Sequence, residues 1–367
     1  MVKMPKVKLA VVYSDRYLDY NLGKTHPLQQ IRVKLAVEEM EKRNFFNKGA
    51  SIVEPREASI EELKLFHDED YINYVKKASE RGEGFLDYGD TPAFKGCYEA
   101  SSLIVGGTLK AVELVLNNEA EHSMNLAGGL HHAHPESASG FCIFNDPAIA
   151  ISYLLNRKGV KRVMYLDVDA HHGDGVMYGF YRDPRILHVD FHEDGRYLFP
   201  GTGFIEENGA GDAIGLKVNI PFKPYTGDDV FIAAFDRIVP KCVELFKPEY
   251  IIVQFGVDGH RGDPLTHLSY TAKAYHYAMT LIHELSHRIC DGKLTVLGGG
   301  GYDVKRTATI WSMAAAILLD LPREEYLDIL NVESSKSSKV ILDEIEGMLN
   351  KLEEYTVKIL EQKATSR

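Results

Sequence analysis

Cysteine is scarce in this chain: four occur among 367 residues, at Cys97, Cys142, Cys242 and Cys290. None forms a CxxC pair, so neither a thiolate zinc site nor a disulfide framework is indicated. Reduced, mostly buried thiols are expected. Long apolar runs are missing as well. No segment approaches the roughly 18 apolar residues of a membrane span. The opening stretch MVKMPKVKLAVVYS has an apolar run too short for a signal peptide, and no small-residue cleavage site follows it. A soluble cytoplasmic protein is the expectation. Basic charge is in deficit: 42 Lys and Arg stand against 53 Asp and Glu, a net −11. That argues against stable nucleic-acid binding and leaves basic peptides open as partners. Repeats, linkers and low-complexity tracts are absent, so one domain is expected over residues 1–367, with its core at about 8–320 and a helical extension over 333–367.

Apolar residues make up 45% of the chain, enough for a large packed interior. β-Branched runs at Val7–Tyr13, Ser123–Leu126, Val163–Val168, Ile186–Val189, Leu216–Ile220, Tyr250–Phe255 and Leu294–Leu297 read as strands. Helical patterns cover Pro27–Lys42, Ala100–Leu116, Pro147–Arg157, Asp228–Leu245, Thr271–His287 and Lys305–Leu318. Ser59-Ile60-Glu61-Glu62 has the form of a capping box and predicts a helix running on through Tyr71 and Val75. Such strand–helix alternation implies a parallel sheet covered on both faces, with functional residues beyond the carboxyl ends of its strands. Ser334–Ser338 reads as a loop. After it Ile341, Ile345, Met348, Leu352, Tyr355 and Ile359 form one helical stripe, which either packs on its own domain or makes a dimer seam.

Four polar clusters stand at predicted strand ends. One runs from Asn125 through Gly128-Gly129-Leu130-His131-His132-Ala133-His134. The second is DVDAHHGDG, Asp167 to Gly175. The third is Gln254-Phe255-Gly256-Val257-Asp258-Gly259-His260, and the fourth Leu297-Gly298-Gly299-Gly300-Gly301-Tyr302. Glycines beside such residues let the backbone turn and approach a ligand. Alternation along an extended chain puts Asp167, Asp169 and His171 on one side. An Asp-x-His pair offers one carboxylate oxygen and one ring nitrogen. A catalytic zinc takes three protein ligands and leaves a position open; Asp258, at another strand end, is the natural third. Two carboxylates and one imidazole also suit iron(II), cobalt or manganese. The plainer reading is a salt-bridged loop without metal, and the coincidence of the clusters weighs against it. Beside a metal the His131-His132 pair gains a purpose, because water attacking a carbonyl needs a base and a leaving amine needs an acid. Asp167 and Asp174, left over from the ligand count, can orient those rings. Tyr302, on its glycine turn, can donate to an oxyanion. His172 is expected to be structural.

The motifs GGLHHAHPESASGFCIFND, YLDVDAHHGDGV, YLFPGTG, DPLTHLSYT and LGGGGY together resemble the histone deacetylase family, in particular its prokaryotic acetoin-utilisation branch. The resemblance spans Leu9 to Leu319. It implies the three-layer α/β arginase–deacetylase fold with a central eight-stranded parallel sheet. It also implies zinc-dependent hydrolysis of the acetyl amide of lysine side chains, giving acetate and free amine. By motif position it implies Asp169, His171 and Asp258 as metal ligands, Asp167 paired with His131, and Asp174 paired with His132. His132 would be the main general base and acid, His131 mainly an electrostatic partner, and Tyr302 the group polarising the acetyl carbonyl. Gly140, Phe141, Phe199 and Leu265 would line a tunnel for the lysine methylenes. Asp90 would hold substrate backbone at the rim, and Arg32 would stand on an internal channel for acetate.

Structural potassium sites built largely from main-chain oxygens are implied too. Asp167, Asp169 and His171 would form one, with Asp190 and Phe191 beside it; carbonyls of Phe180, Asp183, Ile186 and Leu216 would form another. Asp190 stands where the family usually has serine, and an added carboxylate favours a cation unless it pairs with a neighbour. Leu265 stands where acetylpolyamine-specific relatives often carry an acid. That favours acylated lysine of a protein or peptide over small acetylated amines. Two other readings remain, an arginase-like ureohydrolase with two manganese ions and a non-catalytic acyl-lysine reader. The single metal set with Tyr302 weighs against the first, and the retained histidine pair against the second. A homo-oligomer stays open.

Overall fold

The computed structural model describes residues 6–365. The first five residues of the N-terminal stretch and the last two of the C-terminal extension lie outside the described residues. Eight strands form one sheet: β1 Val7–Val12, β2 Ala50–Val53, β3 Ala120–Asn125, β4 Val163–Asp167, β5 Ile186–Glu193, β6 Lys217–Phe222, β7 Tyr250–Gln254 and β8 Leu294–Leu297. Their order is β2-β1-β3-β8-β7-β4-β5-β6, and every neighbouring pair is parallel. This is the sheet expected of the arginase–deacetylase fold. The whole of β4, β5, β7 and β8 is buried, because a parallel sheet with helices on both faces leaves no strand face to water. The sequence pattern misses β2. It is a four-residue edge strand with Ile52 turned outward, so it lacks the apolar run that marks the others.

Helices α1 (Ile31–Lys42), α2 (Ile60–Leu63), α3 (Glu69–Arg81), α4 (Cys97–Leu116), α5 (Asp146–Arg157), α6 (Asp174–Gly179), α7 (Asp228–Phe246), α8 (Ala272–Cys290) and α9 (Val304–Leu318) complete the layers. One group packs as α3 on α4, α4 on α5 and α5 on α6; the other as α1 on α9, α9 on α8 and α8 on α7. The capping box at Ser59 forms both of its bonds, yet α2 lasts one turn. Tertiary bonds end it: His67 Nε2 accepts the Asn145 amide at 2.8 Å, and the Asp68 amide donates to the Pro135 carbonyl at 2.9 Å. Tyr71 and Val75 therefore belong to a separate helix, α3.

The C-terminal stripe packs in cis. A short α10 (Leu327–Leu330) leads to α11 (Lys339–Leu352) and α12 (Lys358–Thr365), which lie against α7, with α11 also against β6. Ile341, Leu349, Leu352 and Leu360 are buried there. A π-helical turn over Glu353–Val357 shifts the phase, so Thr356 and Val357 turn inward and Tyr355 outward. All four cysteines are buried free thiols. Among the described residues no helix is long and apolar enough to cross a membrane.

Candidate active site

The four central strands carry the four clusters. Asn125 of β3 is level with Leu297 of β8, Leu297 with Gln254 of β7, and Gln254 with Asp167 of β4. The loops leaving this row converge on one site, although the sequence spreads them over more than a hundred residues.

Asp169, His171 and Asp258 bring ligand atoms within 4.8 Å of one another, and all three are buried. His171 Nδ1 lies 2.7 Å from Asp258 Oδ2 and 3.2 Å from Asp169 Oδ1. Main-chain amides fix the carboxylates: Ala170 donates to Asp258 at 2.7 Å and Gly300 to Asp169 at 2.5 Å. Two carboxylates facing one imidazole make a strong cation trap. Burial opposes a charge on His171, but Asp169 and Asp258 prevail and push its pKa up to about 10. Burial and the Asp169 carboxylate in turn push Asp258 up to about 7. The donor set, one nitrogen and two carboxylates, fits zinc or a neighbouring divalent ion.

The histidine pair stands beside this cluster. His131 Nδ1 meets Asp167 at 2.9 Å, His132 Nδ1 meets Asp174 at 2.7 Å, and the two Nε2 atoms are 3.0 Å apart. Burial and the neighbouring His131 push the His132 pKa down to about 4, against the pull of Asp174. His132 is therefore neutral near pH 7. Tyr302 sits across the site, its ring 6.3 Å from that of His171. Burial, then the Asp258 and Asp169 charges, holds its phenol well above the usual range, so it keeps its proton.

Gly140, Phe141 and Tyr302 line a small inner cavity of about 20 Å³ with Arg32, His131, His132 and Asp169, room for about one water. Arg32 is buried there; its guanidinium donates to the Gly301 carbonyl at 2.9 Å and lies over Trp311. Phe199 packs edge-on against His132, ring centroids 5.1 Å apart. With Gly140 and Asp90 it also borders an outer depression of about 800 Å³. Leu265 lines neither cavity. Its amide instead donates to Asp263, whose other oxygen accepts the Tyr302 amide. The His172 ring contacts Thr202 and Met177, and its carbonyl accepts the Asp174 amide at 2.8 Å.

Asp190 takes the pairing alternative. It lies 2.6 Å from His192 Nδ1 and accepts the Gly173 amide at 2.9 Å. Phe191 is buried among Phe222, Phe231 and Phe235. Near the other expected potassium position, the ammonium of buried Lys217 donates to the carbonyls of Ile186 at 2.9 Å and Asp183 at 3.4 Å. The Lys217 side chain thus donates to two of the four carbonyls assigned there with Phe180 and Leu216. Burial pulls Lys217 down to about 7.

Sequence reasoning missed the residues that brace these loops. Asp146 accepts the Gly129 and Leu130 amides at 2.8–3.0 Å. Asn145 Nδ2 donates to the His131 and Ala133 carbonyls, and Gln254 Nε2 to the Gly129 carbonyl. Tyr165 donates to Asp167 at 3.0 Å. The Asn-Asp-Pro at the start of α5, a helix-opening pattern, was the one available signal.

Fold and site together define a class. The family model described as the histone deacetylase domain matches residues 26–318, and the chain belongs to the histone deacetylase family. Among its relatives it is 46% identical over 312 residues to the acetoin utilization protein AcuC of Bacillus subtilis (strain 168), covering 82% of this chain and 80% of that one. It is 38% identical over 354 residues to the AcuC protein of Staphylococcus aureus (strain MRSA252), covering 94% and 90%. The AcuC protein of Staphylococcus xylosus is 38% identical over 309 residues.

Proposed function

We propose that this chain is a zinc-dependent amidohydrolase of the cytoplasm that removes acetyl or other short acyl groups from lysine side chains. The observation that supports this best is one buried site holding both a two-carboxylate, one-imidazole cation trap and a carboxylate-backed histidine pair with Nε2 atoms 3.0 Å apart. Asp169, His171 and Asp258 would hold the ion. When bound, it would polarise the acyl carbonyl and acidify water. Iron(II), cobalt or manganese would serve the same ligand set.

The chain's own residues do the rest. Neutral His132 takes the proton of the attacking water at Nε2, and Asp174 at Nδ1 stabilises the imidazolium that results. His131, with Asp167 behind it, sets the field around that ring and limits how long it keeps the proton. Tyr302 donates its hydroxyl to the negative charge growing on the carbonyl oxygen. His132 then returns the proton to the leaving amine, giving acetate and free lysine. Gly140, Phe141 and Phe199, with Leu265, hold the aliphatic stem, and Arg32 guides acetate out along an internal channel. A structural potassium on main-chain oxygens of Asp167, Asp169 and His171 belongs to the same proposal.

One observation favours the alternative of small acetylated amines. The outer depression carries Asp87, Asp90 and Glu136, which would attract a remote ammonium. They would equally attract a basic peptide. Comparison of kcat/KM for an acetyl-lysine peptide and for acetylspermidine decides. The peptide should be preferred; a clear preference for acetylspermidine would replace the proposal by its alternative.

A further inference from the structure

A second histidine cluster lies away from the active site. His283 and His287 stand one turn apart on α8, and His122 reaches them from β3. All three point Nε2 at one place: His122–His287 is 3.2 Å, His122–His283 3.0 Å and His283–His287 3.0 Å. Hydrogen bonding cannot satisfy this triangle. Each imidazole Nε2 carries either a proton or a lone pair. Of three nitrogens at least two are alike, so at least one short contact sets proton against proton or lone pair against lone pair. A metal ion resolves all three contacts together, because each lone pair then points at the cation. Zinc about 2.0–2.1 Å from each nitrogen of a tetrahedral set would hold them roughly 3.3 Å apart, close to what is seen.

We infer that His122, His283 and His287 form a second metal site, selective for zinc and its borderline neighbours. Three nitrogen donors exclude magnesium and calcium as preferred occupants. The surroundings suit a cation. Glu121 Oε1 lies 3.8 Å from His287 Nε2, the nearest candidate for a fourth ligand. Asp320 Oδ1 lies 3.9 Å from His283 Nδ1, where a carboxylate can orient a ligating ring; Asp320 also pairs with Lys8. His122 and His283 are buried, whereas the His287 side chain is 40% exposed, so the ion has a way in and water can complete its shell. The site ties the last turns of α8 to β3 at the level of the first residue of β8, since His122 is paired with Leu294. It shares no residue with the catalytic cluster, so its occupancy is independent of the proposed reaction.

Metal counting tests it. Full-length protein is stripped with a chelator, reloaded with excess Zn²⁺, desalted and assayed by elemental analysis. The exposed position of His287 makes His287→Gln the least disruptive variant. It should hold one zinc fewer per chain than wild type and gain less melting temperature on reloading. In an Asp258→Asn background, Co²⁺ should still give visible ligand-field bands, and adding His287→Gln should abolish them. Equal zinc content in wild type, His287→Gln and His283→Gln/His287→Gln, with all three melting cooperatively, would overturn the inference.

Discussion

Asp174 serves two histidines at once: Oδ1 lies 2.7 Å from His132 Nδ1, and Oδ2 lies 3.2 Å from His134 Nε2. This gives His134, which follows the pair without evident purpose in the sequence, a place in the site. Burial opposes the Asp174 charge, but the two histidines prevail and hold its carboxyl well below the usual range. Asp174→Asn should keep the shape and lose the charge behind His132. We expect kcat to fall about 10–100-fold, as for other groups that orient a catalytic ring, with KM little changed. His134→Ala should cost much less. Steady-state kinetics on an acetyl-lysine peptide checks both; equal losses would mean that Asp174 acts through His134 instead.

Tyr302 and Asp258 should separate by readout. Tyr302→Phe removes one hydroxyl donor, so kcat should fall about 10²–10³-fold while bound metal stays at the wild-type level. Asp258→Asn should lose both activity and the catalytic metal. Elemental analysis beside the assay distinguishes them, and a metal-free Tyr302→Phe protein would refute the role given to its hydroxyl.

Gly140 is needed for two reasons that can be told apart. Its φ is +54°, and a Cβ there would fall 2.6 Å from His132 Cδ2 and 2.8 Å from Phe199 Cε1. Gly140→Ala should carry backbone strain of about 1–3 kcal/mol and also push His132 off its position. Gly159 has a φ of +74° with open space around it, so Gly159→Ala should show strain alone. We therefore expect both variants to melt lower and only Gly140→Ala to lose kcat/KM. Full activity in Gly140→Ala would show that the wall can yield.

The C-terminal helices depend on a carboxylate. Glu353 bonds to Arg237 and Lys241 of α7; these bonds lower its pKa from 4.5 to about 2. A depressed folded-state pKa means stabilisation that is complete above the unfolded value of 4.5 and is lost as pH falls through about 2. Glu353→Gln should therefore melt below wild type at neutral pH, and the gap should narrow as the buffer is acidified below 4.5. A gap independent of pH would assign the effect to packing.

The legible parts of this molecule are those where neighbours in sequence act together. Strands β4 and β7 announce themselves as apolar runs because both faces are covered; Asp169 and His171 meet at one site although β4 ends at Asp167 and the chain bends over residues 169–171, where alternation along an extended chain no longer applies. What sequence pattern alone could not supply depends on distant contacts. That Asp167 meets His131 follows from the strand order β3-β8-β7-β4; the family resemblance, not the spacing, implied that pair. Asp146, Asn145 and Gln254 act by binding main-chain groups of other loops, and only the Asn-Asp-Pro helix opening hints at the first two. Lys217 lies in a strand pattern where a lysine would be read as facing water, yet its ammonium is buried on two carbonyls. The Ser59 capping box forms as read, and the bonds of His67 with the Asn145 amide and of the Asp68 amide with the Pro135 carbonyl then stop the helix it should have opened.

The central claim is that Asp169, His171 and Asp258 hold the ion on which amide hydrolysis depends. The direct measurement is acetate release from an acetyl-lysine peptide by chelator-stripped protein, verified metal-free by elemental analysis, before and after Zn²⁺ is restored. Stripped protein should be inactive, restored wild type active, and restored Asp258→Asn still inactive. Full turnover by the verified metal-free protein would contradict the account.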